Sequence, residues 1–471
     1  MSGLGLGIDL GLSQRRRPLL PSLLPPQTVL LVAGDSLAAQ AVNGSAHPLL
    51  WAARKGAFDV DYDHRRHNLG VGSTTTDADA APIAVGSPAS ETVRRGLIHP
   101  ERIARDTGYV TATGAKALLL EVGTNSVPNF GAVGAFANLQ TYVAAMRNAG
   151  IQRVILGSLQ PRMSGTSTPA VYMTGAQAQN CRNFNALLGA WAAGDPAIHV
   201  YDGSDGELDA ARTEEYGPIG GGSNAVLGSS TYDGVHWGTA HAARRQDQLV
   251  AVLEQIFPVR AERPYSLDAE YSWAGNRYKN VLGNRAGFVG AGGYNPFSGG
   301  PTGSFGDGWV GNSGSALPSG VAVVGSQVQA PYGGALRNAI RVTVTGTPAA
   351  DFSFALQKVS PIPVGTDADN KLRMDGSEKL LHEWIFELEN IRPAVIADLG
   401  IGTPGLVGGT STGGSGQNPL MNGRYVWREP SASPVTSGST SCTPKIVFFF
   451  KGGQPVAGSI TFIHAFLGHA A

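Results

Sequence analysis

Residues Thr28-Val-Leu-Leu-Val-Ala33 run straight into Gly34-Asp35-Ser36-Leu37. Six residues without polar alternation read as a strand buried on both faces, as in a parallel sheet. The glycine lets the chain turn sharply at the strand's carboxyl end, where open α/β sheets place their chemistry. Ser36 then opens an expected helix from Leu37 to about Ala53. Its hydroxyl is either a helix N-cap or a nucleophile beside backbone N–H groups that stabilise negative charge. A base and an oxyanion site elsewhere in the chain decide between the two.

Both are supplied. Asp233-Gly-Val-His236 precedes an amphipathic stretch over 239–257. A serine hydroxyl needs a base to take its proton, and histidine is the side chain matched to that task near neutral pH. An acid three residues earlier reaches the far ring nitrogen if both sit on one turn. Leu118-Leu-Leu-Glu-Val-Gly123-Thr-Asn125 is a second buried-strand pattern, ending in an amide suited to a developing oxyanion. Each motif is weak alone. Their order, each at a strand end or a helix start, is specific.

On these residues the chain resembles the SGNH (GDSL-type) hydrolase family over roughly 28–258. The resemblance implies a flavodoxin-like doubly wound parallel sheet and carboxylic ester hydrolysis; no cluster has metal-ligand spacing, so no metal and no cofactor are expected. It implies Ser36 as nucleophile, His236 as base and Asp233 as the acid that orients the base. Ser36, Gly72 and Asn125 would donate to the oxyanion. Within Asn68-Leu-Gly70-Val-Gly72-Ser-Thr-Thr the alignment slips by two, so Gly72 is the chosen donor and Gly70 the alternative. Two positions depart from the family. Ser126 stands where Asp is usual, and Trp237 follows the histidine where Pro is common. The lost Asp bears on loop geometry more than on chemistry.

A chain of 471 residues has room for two or three domains. Its 65 glycines are about twice the average share, and its 15% charged residues fall below the usual quarter. That balance suits β-rich secreted or virion-like proteins. Zero net charge removes the electrostatic case for nucleic acid or an anionic membrane surface. No apolar run is long enough to span a bilayer. Two cysteines, Cys181 and Cys442, give no disulfide framework and read as buried thiols. Residues 1–27 do not read as a secretion signal, because prolines break the run after Arg15-Arg-Arg17. Their Gly/Leu alternation from Gly3 to Ser13 resembles leaders of phage and prophage tail-associated proteins. A particle-docking role and a virion or extracellular location are therefore expected, with a cytoplasmic stage before assembly.

From 28 to 260, strands and helices alternate, with helical spacing at 133–146 closed by Gly150 and again at 176–193. Long loops are expected at 73–90 and 214–230, the second a candidate to shape substrate binding. His64 and His67 flank arginines and read as solvated surface. Asp59, Asp61 and Asp63 share a strand face but lack the glycine and glutamate of a calcium loop, so a solvated edge is expected. After Arg260 short alternating runs appear at 321–328, 340–345, 352–359, 381–388, 393–399, 425–427, 446–450 and 459–466. They predict an antiparallel, jelly-roll-like β-sandwich over 261–471. Its Trp273, Trp309, Trp384, Tyr425 and Trp427 form either a sugar-stacking face or core, with core packing favoured for any one of them. The 28–260 unit is expected to fold alone. The expected partner is an acylated polysaccharide or cell-surface glycan bearing O-acetyl groups. A particle-attached receptor-binding protein that uses the fold for glycan binding is the second reading. A homo-oligomer stays open.

Overall fold

A computed structural model describes residues 24–39, 47–56, 58–63, 66–86, 88–165, 171–202, 207–219, 233, 235–260, 288, 298–360, 362–365, 372–373, 379–393, 395–401, 407–411, 420–428, 433–434 and 441–469. In chain order the first unit contains β1 (Thr28–Gly34), α1 (Ser36–Ala39), α2 (Pro48–Lys55), β2 (Val60–Asp61), β3 (Pro82–Val85) and β4 (Glu91–Arg94). It continues with α3 (Pro100–Thr113), β5 (Ala117–Glu121), α4 (Val127–Phe130), α5 (Ala132–Asn148), β6 (Arg153–Gly157), α6 (Gly175–Gly194), β7 (Ile198–Tyr201) and α7 (Thr239–Ile256). Strands β2-β1-β5-β6-β7 form one sheet with every neighbour parallel. With the β3–β4 hairpin set aside, this is the flavodoxin-like order 2-1-3-4-5.

The unbroken apolar runs follow from this layering. Leu31 and Ala33 of β1 pack with Leu118, Leu120, Val154 and Leu156 beneath α3, α5 and α6. Leu30 and Val32 face the other way, with Ala117, Leu119 and Ile155 beneath α2 and α7. Both faces of the sheet are buried, so neither tolerates polar alternation.

Four expectations need correction. The single helix from Leu37 to Ala53 is two: α1 is described to Ala39, and α2 starts afresh at Pro48. His47 is extended there (φ −116°, ψ 131°), and its Nδ1 accepts the Leu49 N–H at 3.1 Å. Proline suits the first helical position because its missing N–H would have no partner there. The 73–90 loop contains β3, which pairs antiparallel with β4. His67 is not solvated: it is buried, its Nδ1 accepting the Asp63 N–H at 3.0 Å. Asp63 is buried too and accepts from Arg66 Nε at 2.8 Å, while Asp59 bonds Gln27. His64 lies outside the described residues.

The second unit holds a strand at each expected run, most of them longer than expected: Val321–Tyr332, Ala335–Gly346, Phe352–Lys358, Lys379–Ile391, Val395–Ile401, Met421–Arg428, Ser441–Phe450 and Val456–His469. They belong to two seven-stranded, mainly antiparallel sheets, and from Lys379 onward these long strands alternate between the two. Trp309, Trp384, Tyr425 and Trp427 are buried between the sheets, so none of these four offers a stacking face. Trp309 meets Trp384 edge-on at 5.5 Å, and Phe386 meets Phe448 across the sheets at 5.5 Å. Trp273 lies outside the described residues.

The two units are not separated by solvent. Trp51 of α2 and Ala242 and Ala243 of α7 belong to the sandwich's own apolar cluster. Cys181 is a free thiol, pushed up to about 12 by burial; the Cys442 side chain lies outside the description. Among the described residues no helix is long and apolar enough to cross a membrane.

Candidate active site

The turn that bears Ser36 is built by close backbone approach. Gly34 sits at φ +136°, and a Cβ there would lie 1.8 Å from the Glu121 carbonyl oxygen, forcing β1 away from β5. Asp35 N–H donates to that carbonyl at 2.9 Å. The Asp35 carboxylate is fully buried, accepting Leu37 N–H at 2.9 Å and Thr124 N–H at 3.1 Å. Burial pushes its carboxyl up to about 6, against the pull of those two N–H groups; Glu121 raises it further. Asp35 therefore caps α1. Ser36, half-buried at the first position of α1, takes no part in that cap.

The segment after His67 lies alongside the end of β1: Leu69 N–H donates to Val32 O at 2.6 Å and Val71 N–H to Gly34 O at 3.1 Å. Gly70 spends its N–H on Asn68 Oδ1 at 2.8 Å, and a Cβ there would lie 2.4 Å from Ala39 N. Gly72 has open space around it, and its N–H meets no acceptor among the described residues. Of the two glycines, Gly72 is the one able to donate to a ligand.

Asn125 follows β5, and its Nδ2 donates to Thr74 O at 3.0 Å, leaving the amide's second N–H uncommitted by that bond. Ser126 Oγ accepts Thr76 N–H at 2.9 Å. The serine thus braces the two loops. Beneath them Arg102 is fully buried, paired with Asp106 at 2.7 Å and donating to Leu69 O at 3.0 Å. Tyr142 Oη donates to the same Asp106 at 2.7 Å.

Asp233 and His236 share one turn. Asp233 Oδ1 accepts the Val235 and His236 N–H groups at 3.0 and 2.8 Å, and Oδ2 lies 2.7 Å from His236 Nδ1. Burial pushes the Asp233 carboxyl up, but the hydrogen bonds from the His236 side chain and from both backbone N–H groups hold it below the ordinary range. An ionised carboxylate can only accept, so Nδ1 carries the proton and Nε2 is the ring's acceptor nitrogen.

Several side chains tie this turn to the one that bears Ser36. The Trp237 ring lies 5.4 Å from that of His47. His47 Nδ1 is an acceptor, so its Nε2 carries the proton that bonds Glu121 Oε2 at 2.6 Å; Tyr201 Oη bonds the other Glu121 oxygen. The Glu121 carbonyl in turn holds Asp35 N–H. Arg162, also buried, bonds the Thr124 carbonyl and interacts electrostatically with both Asp35 and Asp233.

Sequence reasoning missed His47, Glu121, Arg102 and Arg162. Glu121 carried a signal as the one charged residue in an apolar strand, and Arg102 and Asp106 a second in their i,i+4 spacing. Residues 220–232 of the expected substrate-shaping loop lie outside the described residues.

No family model matches the chain, and no curated protein does. Solved structures are similar to about half of it. A lipase/acylhydrolase from Enterococcus faecalis is 14% identical and covers 50% of this chain and 100% of its own, with TM-score 0.32. Est24, a carbohydrate acetylesterase from Sinorhizobium meliloti, is 13% identical, covering 49% and 100%, with TM-score 0.31. The enzymatically active domain of bacteriophage CBA120 tailspike protein 4 is 12% identical, covering 35% and 20%, with TM-score 0.22. The chemistry of the site rests on its own residues.

Proposed function

We propose that the protein is a serine ester hydrolase. The observation that carries this reading is the Asp233–His236 pair at 2.7 Å, tied through Trp237, His47 and Glu121 to the turn that bears Ser36. His236 Nε2 takes the Ser36 proton as Oγ attacks the ester carbonyl. The oxyanion is held by the Ser36 and Gly72 N–H groups and the Asn125 amide. His236 then protonates the leaving alcohol, giving an acyl-serine. A water, deprotonated by the same nitrogen, releases the acid. Asp233 keeps the imidazole in one tautomer throughout and stabilises its charged form.

The finer reading is that the acyl group is short, an O-acetyl on a surface polysaccharide, and that residues 1–27 attach the protein to a virion or tail. It is supported by the appended sandwich and the Gly/Leu leader. The test is acid release from a panel of aryl acetates, longer aryl esters and O-acetylated polysaccharides. Turnover of acetates and acetylated glycan is expected. Activity on no ester would overturn the hydrolase assignment, and activity only on long acyl chains the acetyl one.

A further inference from the structure

The sandwich grips the two helices whose N-terminal ends organise the site. The Arg54 guanidinium of α2 lies over the Trp427 ring at 4.1 Å, and the Trp51 ring meets Trp427 edge-on at 6.1 Å. One turn of strand alternation away, Tyr425 lies 5.4 Å from Lys55 Nζ, which also pairs with Asp247 of α7 at 2.5 Å. Gly423, on the same face, sits against the Lys55 side chain; a Cβ there would come within 3.2 Å of Cε. Ala242 and Ala243 bring α7 into the same apolar cluster. All of these sandwich contacts to α2 come from the single strand Met421–Arg428. Arg54 and Trp427 are buried, which makes the stacking pair a fixed contact rather than a surface one.

The two helices lead directly to the chemistry. At the start of α2, His47 bonds Glu121, whose carbonyl holds the backbone of Asp35 beside Ser36. The start of α7 follows the Asp233–His236 turn by three residues, and Trp237 of that turn packs on His47. We propose that the strand Met421–Arg428 is a clamp that sets the imidazole of His236 against the nucleophile turn, with Arg54 and Trp427 as positioning residues. The sandwich is then a working part of the hydrolase and not a module removable without loss of catalysis. This rests on the ester-hydrolase reading. Displacements of about 1 Å at a reacting group can cost up to a hundredfold in rate, so a clamp remote from the substrate acts on kcat and spares KM.

The test uses the full chain with Trp427→Phe, Arg54→Lys and a control, Phe450→Leu, which trims the sandwich core where it stacks on Phe352, in the sheet that does not contain Met421–Arg428. For the first two, kcat on an aryl acetate should fall about tenfold with KM within about twofold. Amide exchange should quicken in 47–55 and 239–245 while cooperative melting is retained. Phe450→Leu should lower Tm without changing kcat. Arg54→Lys keeps the charge and removes the planar face, so it reads the clamp even if Trp427→Phe does not fold. Unchanged kcat in a folded clamp variant, or an equal fall in Phe450→Leu, would overturn the clamp. A wild-type protein active on no ester would instead sink the hydrolase reading on which it rests.

Discussion

Asp35 and Thr124, 89 residues apart in the chain, are joined by a 3.1 Å hydrogen bond from the Thr124 N–H to the buried Asp35 carboxylate. That bond locks the loop bearing Asn125 to the turn bearing Ser36, at the carboxyl ends of adjacent parallel strands. It has a consequence for pH. Burial raises the Asp35 carboxyl to about 6, so the folded state favours the protonated form more than the unfolded chain does. The stability Asp35 contributes is full below about pH 4 and is lost as pH rises through about 6. Relative to Asp35→Asn, the wild type should lose about 2 kcal/mol between pH 4 and pH 7, at about 1.36 kcal/mol per unit. Urea unfolding of both proteins across that range measures it; a difference independent of pH would refute the assignment.

Ser36→Ala should abolish ester turnover and leave Tm within a degree or two, because it deletes one half-exposed hydroxyl and opens no core cavity. Asn125→Ala should be milder, costing about 10²–10³ in kcat as one of three oxyanion donors. Steady-state kinetics on p-nitrophenyl acetate, with thermal melts on the same samples, separates the two effects.

Ser126→Ala leaves the buried Thr76 N–H without its acceptor. A loss of about 1–3 kcal/mol is expected, with reduced kcat as the 72–76 segment slackens. Denaturant midpoints together with kcat would show whether the serine is a brace or an incidental contact.

Arg102→Met removes one partner of a fully buried ion pair and leaves Asp106 with Tyr142 and Arg105 alone. The expected cost is about 3–5 kcal/mol, far above that of exposed pairs such as Arg94–Glu101. Comparing Arg102→Met with Arg94→Met by chemical denaturation tests the contrast.

Much of this fold is readable in the primary structure. The run 28–33 is apolar on both parities, which only a doubly covered strand requires, and the same holds for 117–120. The eight alternating runs after 320 all carry strands because their spacing matches the pleat. The division of 37–53 into two helices was signalled by Pro48 but hidden by the helical composition on either side. What did not show is the network beneath the site. His47, Glu121 and Arg162 come from three distant segments, and their roles depend on which polar atoms the tertiary fold brings within 3 Å. The shared core at Trp51 and Trp427 is hidden for the same reason: each tryptophan looks like the core of its own unit.

The most direct test of the central claim is covalent labelling by a serine-directed aryl phosphonate, read by intact mass and peptide mapping. One phosphonyl group per chain is expected, on Ser36, with release of one aryl alcohol; His236→Ala should slow the labelling about a thousandfold or more. No adduct, an adduct on another residue, or labelling of Ser36 that is indifferent to His236 would contradict the account.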